Sequence, residues 1–262
     1  MSMNALPGFD DALPTGVQRF TPSTYEHMLV AILTMWNILD ANVNAAQLAG
    51  RGYTAPYGTP YGYMRPVQLH AYTRLVWRNS RARTYCEIGV NAGHGTAAML
   101  LANPTLVAHS FDMGAYGYSE GAYRLLSLHF GERFQLHRGD STRTVPDWAG
   151  SNQSVECDLL LVDGDHRYRG AYLDLVNMRQ LASCNATVLI DDITLPPGKA
   201  LDTAANEGLL TMVEKHVYGK RAPENPCLRA ARPGSRRRSC DKRWGWATAS
   251  YAKPGRCGRT LS

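Results

Sequence analysis

The distribution of apolar and polar residues divides the chain near residue 82. After this point, short apolar segments alternate with longer segments whose apolar residues recur at helical spacing. Such alternation is typical of a parallel sheet covered by helices on both faces, so we predict a doubly wound α/β fold. The predicted strands are Thr84–Val90, Val107–Met113, Phe134–Arg138, Asp158–Asp163 and Thr187–Asp191. The predicted helices between them are Gly95–Ala102, Glu120–Phe130, Ser141–Trp148 and Tyr168–Leu181.

The segment before residue 82 has a different pattern. Helical spacing predicts a helix at Tyr25–Leu48, capped by Ser23 or Thr24, and a second helix at Pro66–Asn79. Glycine and proline interrupt the chain between them, in a stretch with four tyrosines from Tyr53 to Tyr63. This stretch is a candidate aromatic lid over a substrate, although we favour the interpretation as a packed surface loop.

The pattern becomes weaker after Ile193. We predict a helix near Ala200–His216, a loop or insertion at Gly219–Arg243, and a last strand at Trp244–Tyr251. The expected division is an N-terminal arm with helices (1–81), a ligand-binding core (82–218) and a basic segment that completes the sheet (219–262).

The basic character of the chain comes from its C-terminal segment. From Gly219 onward there are twelve Lys or Arg and two Asp or Glu residues, a net charge of +10, whereas the other 218 residues carry a net charge of −4. The run Arg236–Arg238 is suited to nucleic acid or another acidic surface, but we favour the interpretation as a solvated segment.

The six cysteines do not indicate a metal site, because none forms a C-x-x-C pair. Cys86, Cys157 and Cys184 lie in or beside predicted strands, where cysteine serves as a small apolar residue, and the other three lie in the basic segment. We expect a reduced, cytoplasmic protein. The apolar stretch Met28–Trp36 is too short to span a bilayer, so we expect no membrane association and see no signal peptide.

The first strand of the core ends in a glycine-rich loop from Glu87 to Thr96. Glycines permit a sharp turn and the close approach of a ligand, and the following helix offers unpaired N–H groups. A dinucleotide site requires G-x-G-x-x-G, but counted from Gly89 this chain has Asn91 and His94 where that pattern needs glycine. A nicotinamide-dependent oxidoreductase is therefore disfavoured.

The observed spacing, E-x-G-x-x-x-G-x-G, resembles motif I of class I S-adenosylmethionine-dependent methyltransferases. The resemblance implies a Rossmann-like, seven-stranded sheet in which this loop holds the methionine part of S-adenosylmethionine. It also implies that Glu87 and Asn91 orient the amino-acid end of the cofactor. The implied cofactor contacts in the loop are Glu87, Gly89, Asn91, Gly93, Gly95 and Thr96.

Polar residues also follow the next two predicted strands. Asp112 ends the second strand, where a carboxylate can accept both ribose hydroxyls. Asp140 and Ser141 follow the third strand, where methyltransferases of this class contact adenine, although either residue could instead cap a helix. We predict that all three contribute to the cofactor site.

Four carboxylates follow the fourth and fifth predicted strands: Asp163 and Asp165, then Asp191 and Asp192. Neighbouring parallel strands would bring these groups together, and clustered carboxylates need a compensating charge. A hard divalent cation such as Mg²⁺ provides it, so all four are candidate ligands. The alternative is that Asp165 caps a helix and Asp192 forms a turn.

Methylation of a hydroxyl requires a deprotonated or activated oxygen. Metal coordination lowers the pKa of a bound group, and a positioned base completes the activation. Asp163 and His166 are the candidate catalytic residues. The region Tyr85–Ile193 resembles a small methyltransferase family with a D-G-x-H-x-Y element, which is similar to metal-dependent macrolide and aminocoumarin sugar O-methyltransferases. By that resemblance Asp191 and Asp192 are metal ligands, and either Asp163 or Asp165 is the third.

We therefore predict an S-adenosylmethionine-dependent O-methyltransferase, assisted by Mg²⁺ or another divalent cation, that acts on a small hydroxylated acceptor. The N-terminal helices are a possible homo-oligomer interface. The alternatives are a nucleic-acid methyltransferase or RNA-binding protein that uses the basic segment, and a non-catalytic scaffold. The first is disfavoured because an acidic cluster repels phosphate unless a metal is bound.

Overall fold

A single seven-stranded sheet organises the computed structural model, which describes residues 24–50, 64–78, 81–218 and 244–252. The strand order is β3-β2-β1-β4-β5-β7-β6, in which β1 to β5 are parallel and β7 runs antiparallel to both β5 and β6. The predicted doubly wound, mostly parallel fold is confirmed. The strands are β1 (Thr84–Ile88), β2 (Val107–Asp112), β3 (Phe134–Arg138), β4 (Cys157–Val162), β5 (Ala182–Ile190), β6 (Leu210–Tyr218) and β7 (Trp244–Tyr251).

Helices cover both faces of this sheet. One face packs against the first four helices and the other against the last three, so successive residues of the central strands enter different apolar clusters. In β4, for example, Leu159 and Leu161 face one cluster and Leu160 and Val162 the other. The helices are α1 (Tyr25–Leu48), α2 (Pro66–Arg78), α3 (His94–Ala102), α4 (Ser119–Phe130), α5 (Ser141–Ser151), α6 (Tyr168–Met178) and α7 (Pro196–Asn206).

Helix α1 has the predicted bounds and is capped by Thr24, whose side chain accepts a hydrogen bond from the backbone N–H of His27. Its buried face, which includes Ile32 and Leu39, packs against α3 and α4. By length and composition alone, the whole helix is long and apolar enough to cross a membrane, whereas the stretch Met28–Trp36 taken by itself is too short. Of the most apolar window of the helix, 33% is buried.

The prediction for Ala200–His216 is wrong in its second half. The helix ends at Asn206, and Gly208 then adopts a left-handed conformation with φ of +72°. The chain continues as β6, which pairs with β7 from Leu210 to Tyr218. This segment is a strand despite its helical propensity, because the long antiparallel ladder pairs its backbone N–H and C=O groups with those of β7. The pairing also lets β6 complete the sheet.

The expectation for three of the cysteines is also corrected, because Cys86, Cys157 and Cys184 are all disulfide-bonded. Cys86 in β1 and Cys157 in β4 form a disulfide, with a Cα–Cα distance of 5.8 Å. The two residues face the same apolar cluster on neighbouring strands. The disulfide therefore joins the two central strands. The predictions for the tyrosine-rich stretch 53–63 and for the basic segment 219–243 lie outside the described residues.

Candidate active site

The loop after β1 lies directly against the loop after β4. Gly89 and Gly93 have φ angles of +98° and +89°, and Asn91 is also left-handed at +54°. A Cβ atom added to Gly89 would lie 2.1 Å from the carbonyl oxygen of Asp163. Glycine is thus required here both by its backbone conformation and by the close approach of the second loop.

Glu87 is buried at the end of β1 and is surrounded by hydroxyl groups. It accepts hydrogen bonds from the side chains of Thr96 (2.6 Å), Ser110 (2.5 Å) and Tyr85 (2.9 Å). Burial raises the pKa of its carboxyl group to about 7, although these three bonds favour the ionised form. Of these partners only Thr96 was predicted as a site residue, since hydroxyl side chains on strands carry no motif.

Asp112 and Asn91 meet at the ends of β1 and β2. The Asp112 carboxylate accepts hydrogen bonds from the backbone N–H groups of Asn91 (2.8 Å) and Gly114 (2.7 Å) and from the Tyr123 hydroxyl (2.6 Å). The side chain of Asn91 accepts a hydrogen bond from Tyr118 (2.6 Å). The structure thus brings together two predicted cofactor residues and adds two tyrosines that the sequence did not indicate.

Helix α1 supports the same loop from behind. The Trp36 indole N–H donates a hydrogen bond to the backbone carbonyl of His94 (2.9 Å), the first residue of α3. The His94 ring, which is fully buried, lies 3.1 Å from a carboxylate oxygen of Asp40. The N-terminal helices are therefore packed into the glycine-rich loop.

Asp140 and Ser141 lie at the end of β3, and their side chains support helices. Asp140 caps α5 by accepting hydrogen bonds from the backbone N–H and the hydroxyl of Thr142. The Ser141 hydroxyl donates to Asp174 at 2.7 Å. The capping role that the sequence left open is thus present, and a contact of either residue with cofactor stays a prediction.

Asp163, His166 and Asp192 form a compact group at the carboxyl ends of β4 and β5. Their candidate ligand atoms all lie within 4.8 Å of one another. The His166 Nε2 atom is 3.3 Å from a carboxylate oxygen of Asp192 and 3.6 Å from one of Asp163. Asp192 is left-handed, with φ of +52°, which turns the chain immediately after β5.

The charges in this group perturb one another. The carboxylate of Asp163, 3.6 Å from the ring, and the neighbouring carboxylates of Asp192 and Asp191 raise the pKa of His166 to about 9. Burial raises the pKa values of Asp163 and Asp191 above their usual range, and the nearby carboxylates raise them further. A protonated His166 therefore compensates for the carboxylates when no cation is bound.

The other two predicted metal ligands, Asp191 and Asp165, do not belong to this three-residue group. The carboxylate of Asp191 accepts hydrogen bonds from the backbone N–H of Asp192 (2.8 Å) and from the side chain of Gln68 (2.7 Å). Asp191 thus lies beside the three-residue group. Asp165 points elsewhere, because its carboxylate is bonded to the backbone N–H and the guanidinium of Arg167. The structure does not bring Asp165 into the group.

Two residues of this region carry no sequence signal. Gln68 reaches the acidic group from α2, which precedes the core. Asp174 is buried in α6, and a Cβ atom added to Gly164 would lie 2.7 Å from its second carboxylate oxygen. Burial raises the pKa of Asp174 to about 6. Both positions are helical and would be found only from the folded geometry.

Comparisons with known proteins agree with this geometry. Residues 86–193 match a family model described as a methyltransferase domain. None of the curated proteins matches the chain.

Several solved structures of low sequence identity share the fold. Cofactor-bound Rv0187 from MTB has a TM-score of 0.59 and 17% identity, over 84% of this chain and 90% of that one. TomG, an O-methyltransferase from Streptomyces achromogenes solved with SAM, has a TM-score of 0.58 and 13% identity, over 81% and 88%. An O-methyltransferase from Bacillus cereus solved with SAH has a TM-score of 0.56 and 12% identity, over 80% and 89%.

Residues 86–193 of the chain thus match a methyltransferase domain, and the chain shares the fold of O-methyltransferases solved with SAM or SAH. The matched region runs from β1 to just beyond β5, with the glycine-rich loop and the acidic group at the same edge of the sheet.

Proposed function

We propose that this protein is an S-adenosylmethionine-dependent methyltransferase that transfers a methyl group to a hydroxyl of a small molecule or sugar with the help of a bound divalent cation. The observation that carries the proposal is the group formed by Asp163, His166 and Asp192 beside the glycine-rich loop. The similarity in fold to O-methyltransferases such as TomG supports an oxygen acceptor.

The chemistry of the donor set fits a divalent cation. Two carboxylates suit Mg²⁺, and an imidazole beside them also suits Mn²⁺ or a later transition metal. Asp163, Asp192 and His166 would hold the ion, and water and the acceptor oxygen would complete its coordination. Such an ion lowers the pKa of a bound hydroxyl, which makes it a better nucleophile.

The protein groups supply positioning and a proton acceptor. In the reaction, the acceptor oxygen loses its proton, attacks the methyl carbon and displaces the sulfur, which leaves as S-adenosylhomocysteine. Asp163 and His166 are the candidate proton acceptors, and whichever of them does not hold the ion would take the proton. Glu87, Asn91 and Asp112 would bind the cofactor at the adjacent loop.

Asp192→Asn tests this proposal. We expect it to weaken Mg²⁺ or Mn²⁺ binding at least tenfold in calorimetry while S-adenosylhomocysteine binding stays within about twofold. Asp147→Asn is the matched control, because Asp147 is an exposed carboxylate on α5. If the wild-type protein binds neither cation, or if both variants bind like the wild type, the metal-assisted mechanism is wrong.

We also propose that a second copy of the chain packs on the outward face of α1. Between Met28 and Leu48 the helix has one charged residue, Asp40, and that residue contacts His94. Four large apolar side chains are exposed on this helix: Val30 (61%), Leu33 (53%), Ile38 (46%) and Leu48 (91%). Together they expose on the order of 450 Å², against roughly 800 Å² per partner in a stable interface, so the uncharged neighbours would contribute the remainder.

Light scattering after size exclusion tests this interface. We expect a dimer that becomes monomeric in the double variant Leu33→Glu, Ile38→Glu. Leu128→Glu is the control, because Leu128 is equally exposed (63%) but lies on α4. A monomeric wild-type protein would contradict the proposal, and binding to lipid vesicles that is lost in the double variant would indicate a membrane surface instead.

A further inference from the structure

Gln68 connects the N-terminal helices to the acidic group. It lies in α2, is only 4% exposed, and its carboxamide nitrogen is 2.7 Å from a carboxylate oxygen of Asp191 and 3.3 Å from the Tyr72 hydroxyl. Its carbonyl oxygen faces the backbone N–H of Arg65 at 3.5 Å. An ionised carboxylate can only accept hydrogen bonds, so the amide of Gln68 is oriented with its nitrogen towards Asp191.

The contact continues from Asp191 to Asp192. The carboxylate oxygen of Asp191 that does not face Gln68 accepts a hydrogen bond from the backbone N–H of Asp192 at 2.8 Å. Asp192 has a left-handed backbone, which is unfavourable for a residue with a Cβ atom and persists where surrounding contacts enforce it. That backbone directs the Asp192 carboxylate to within 3.3 Å of His166.

We infer that Gln68 is a positioning residue of the acidic group. It holds the Asp191 carboxylate, which in turn holds the Asp192 backbone in the conformation that places Asp192 beside Asp163 and His166. This inference rests on the proposed metal-assisted function. It also means that the catalytic unit begins before residue 86, where the match to the methyltransferase domain starts.

A purely structural role for Gln68 predicts a different outcome. If the amide only satisfied buried polar groups in the core, its loss would lower stability and leave cation binding unchanged. The two roles are separated by Tyr72, the other partner of the same amide. Tyr72→Phe removes that hydrogen bond and leaves the contact between Gln68 and Asp191 in place.

Calorimetric titration of Mn²⁺ and Mg²⁺ into the full chain, with S-adenosylhomocysteine present, tests the inference. Gln68→Leu keeps the approximate volume and removes the donor. We expect it to lose about 10- to 100-fold in cation affinity, the range typical for partners of metal ligands, while Tyr72→Phe stays within about twofold of the wild type. Should Gln68→Leu fail to fold, Gln68→Asn retains the amide but is one methylene too short to reach Asp191, and we expect the same loss.

Three outcomes decide the matter. If the wild type binds no cation, the proposed function and this inference both fail. If the wild type binds a cation and the Gln68 variants bind it equally well, only the inference fails. A crystal structure of Gln68→Leu adds a measurement independent of metal: we expect Asp192 to leave the left-handed region, and an unchanged Asp192 backbone would overturn the inference.

Discussion

Replacing Gly89 with alanine should affect both halves of the active site at once. The new Cβ atom would lie 2.1 Å from the Asp163 carbonyl oxygen, so the loop after β4 would have to move by about 1 Å to reach ordinary contact. The left-handed backbone adds about 1–2 kcal/mol of strain for any residue with a Cβ atom, and the forced displacement adds about 1–3 kcal/mol. We therefore expect Gly89→Ala to lower the free energy of unfolding by roughly 2–5 kcal/mol.

The displacement should also be visible in binding. Asp163 belongs to the three-residue group, and a misplacement of about 1 Å can reduce catalytic efficiency by about 100-fold. We expect Gly89→Ala to lose most of its affinity for both S-adenosylhomocysteine and Mg²⁺ in calorimetry, including at temperatures where circular dichroism shows it folded.

Gly131→Ala is the matched control. Gly131 is also left-handed, with φ of +57°, but a Cβ atom there would have no neighbour within 4 Å. It should incur only the backbone strain and bind both ligands like the wild type. If the two variants are equally stable and bind equally well, the loops after β1 and β4 are not in contact and the reasoning is refuted.

Three further predictions concern the acidic group and the disulfide. Because the pKa of His166 is about 9, a cation that binds there must displace a proton. The affinity for Mn²⁺ should therefore rise by up to about tenfold per pH unit from about pH 7 to about pH 9 and then level off. A pH-independent affinity in calorimetry would argue against His166 as a ligand. Asp165→Asn should bind Mn²⁺ like the wild type because its carboxylate is paired with Arg167, and a loss similar to that of Asp192→Asn would restore Asp165 as a ligand. Reducing the disulfide between Cys86 and Cys157 should lower the free energy of unfolding by about 4 kcal/mol, since it closes a loop of 71 residues, and an unchanged denaturant midpoint in dithiothreitol would contradict this.

The parallel core could be predicted from sequence because its strands are buried on both faces. Leu159 to Val162 are all apolar, and strand segments of this kind separated by helical segments permit few other folds. Strand β6 was missed for a related reason. Its sequence, LTMVEKHVY, is polar enough to fit a helix, and its conformation depends on pairing with β7, which follows 25 residues later in the chain.

The candidate site could be predicted only as far as it follows strand ends. The glycine-rich loop, Asp112, Asp163 and Asp192 were found because residues that follow parallel strands meet at one edge. The sequence did not predict which carboxylates point towards the three-residue group. The orientation of Asp165, for example, depends on its hydrogen bonds to Arg167.

Contacts that depend on the order of the strands or on distant helices were missed altogether. Cys86 and Cys157 form a disulfide because β1 and β4 are neighbouring strands, and no local sequence pattern predicts that these two strands pair. Gln68 contacts Asp191 across 123 positions of sequence, from a helix that lies outside the sequence motifs.

A crystal structure with S-adenosylhomocysteine and Mn²⁺ would test most directly whether the glycine-rich loop and the acidic group form one site. We predict that the amino-acid end of the nucleoside lies along Gly89–Gly95, that its ribose contacts Asp112, and that an anomalous peak for Mn²⁺ appears among Asp163, His166 and Asp192. A nucleoside bound elsewhere, or a cation bound away from those three residues, would contradict the account.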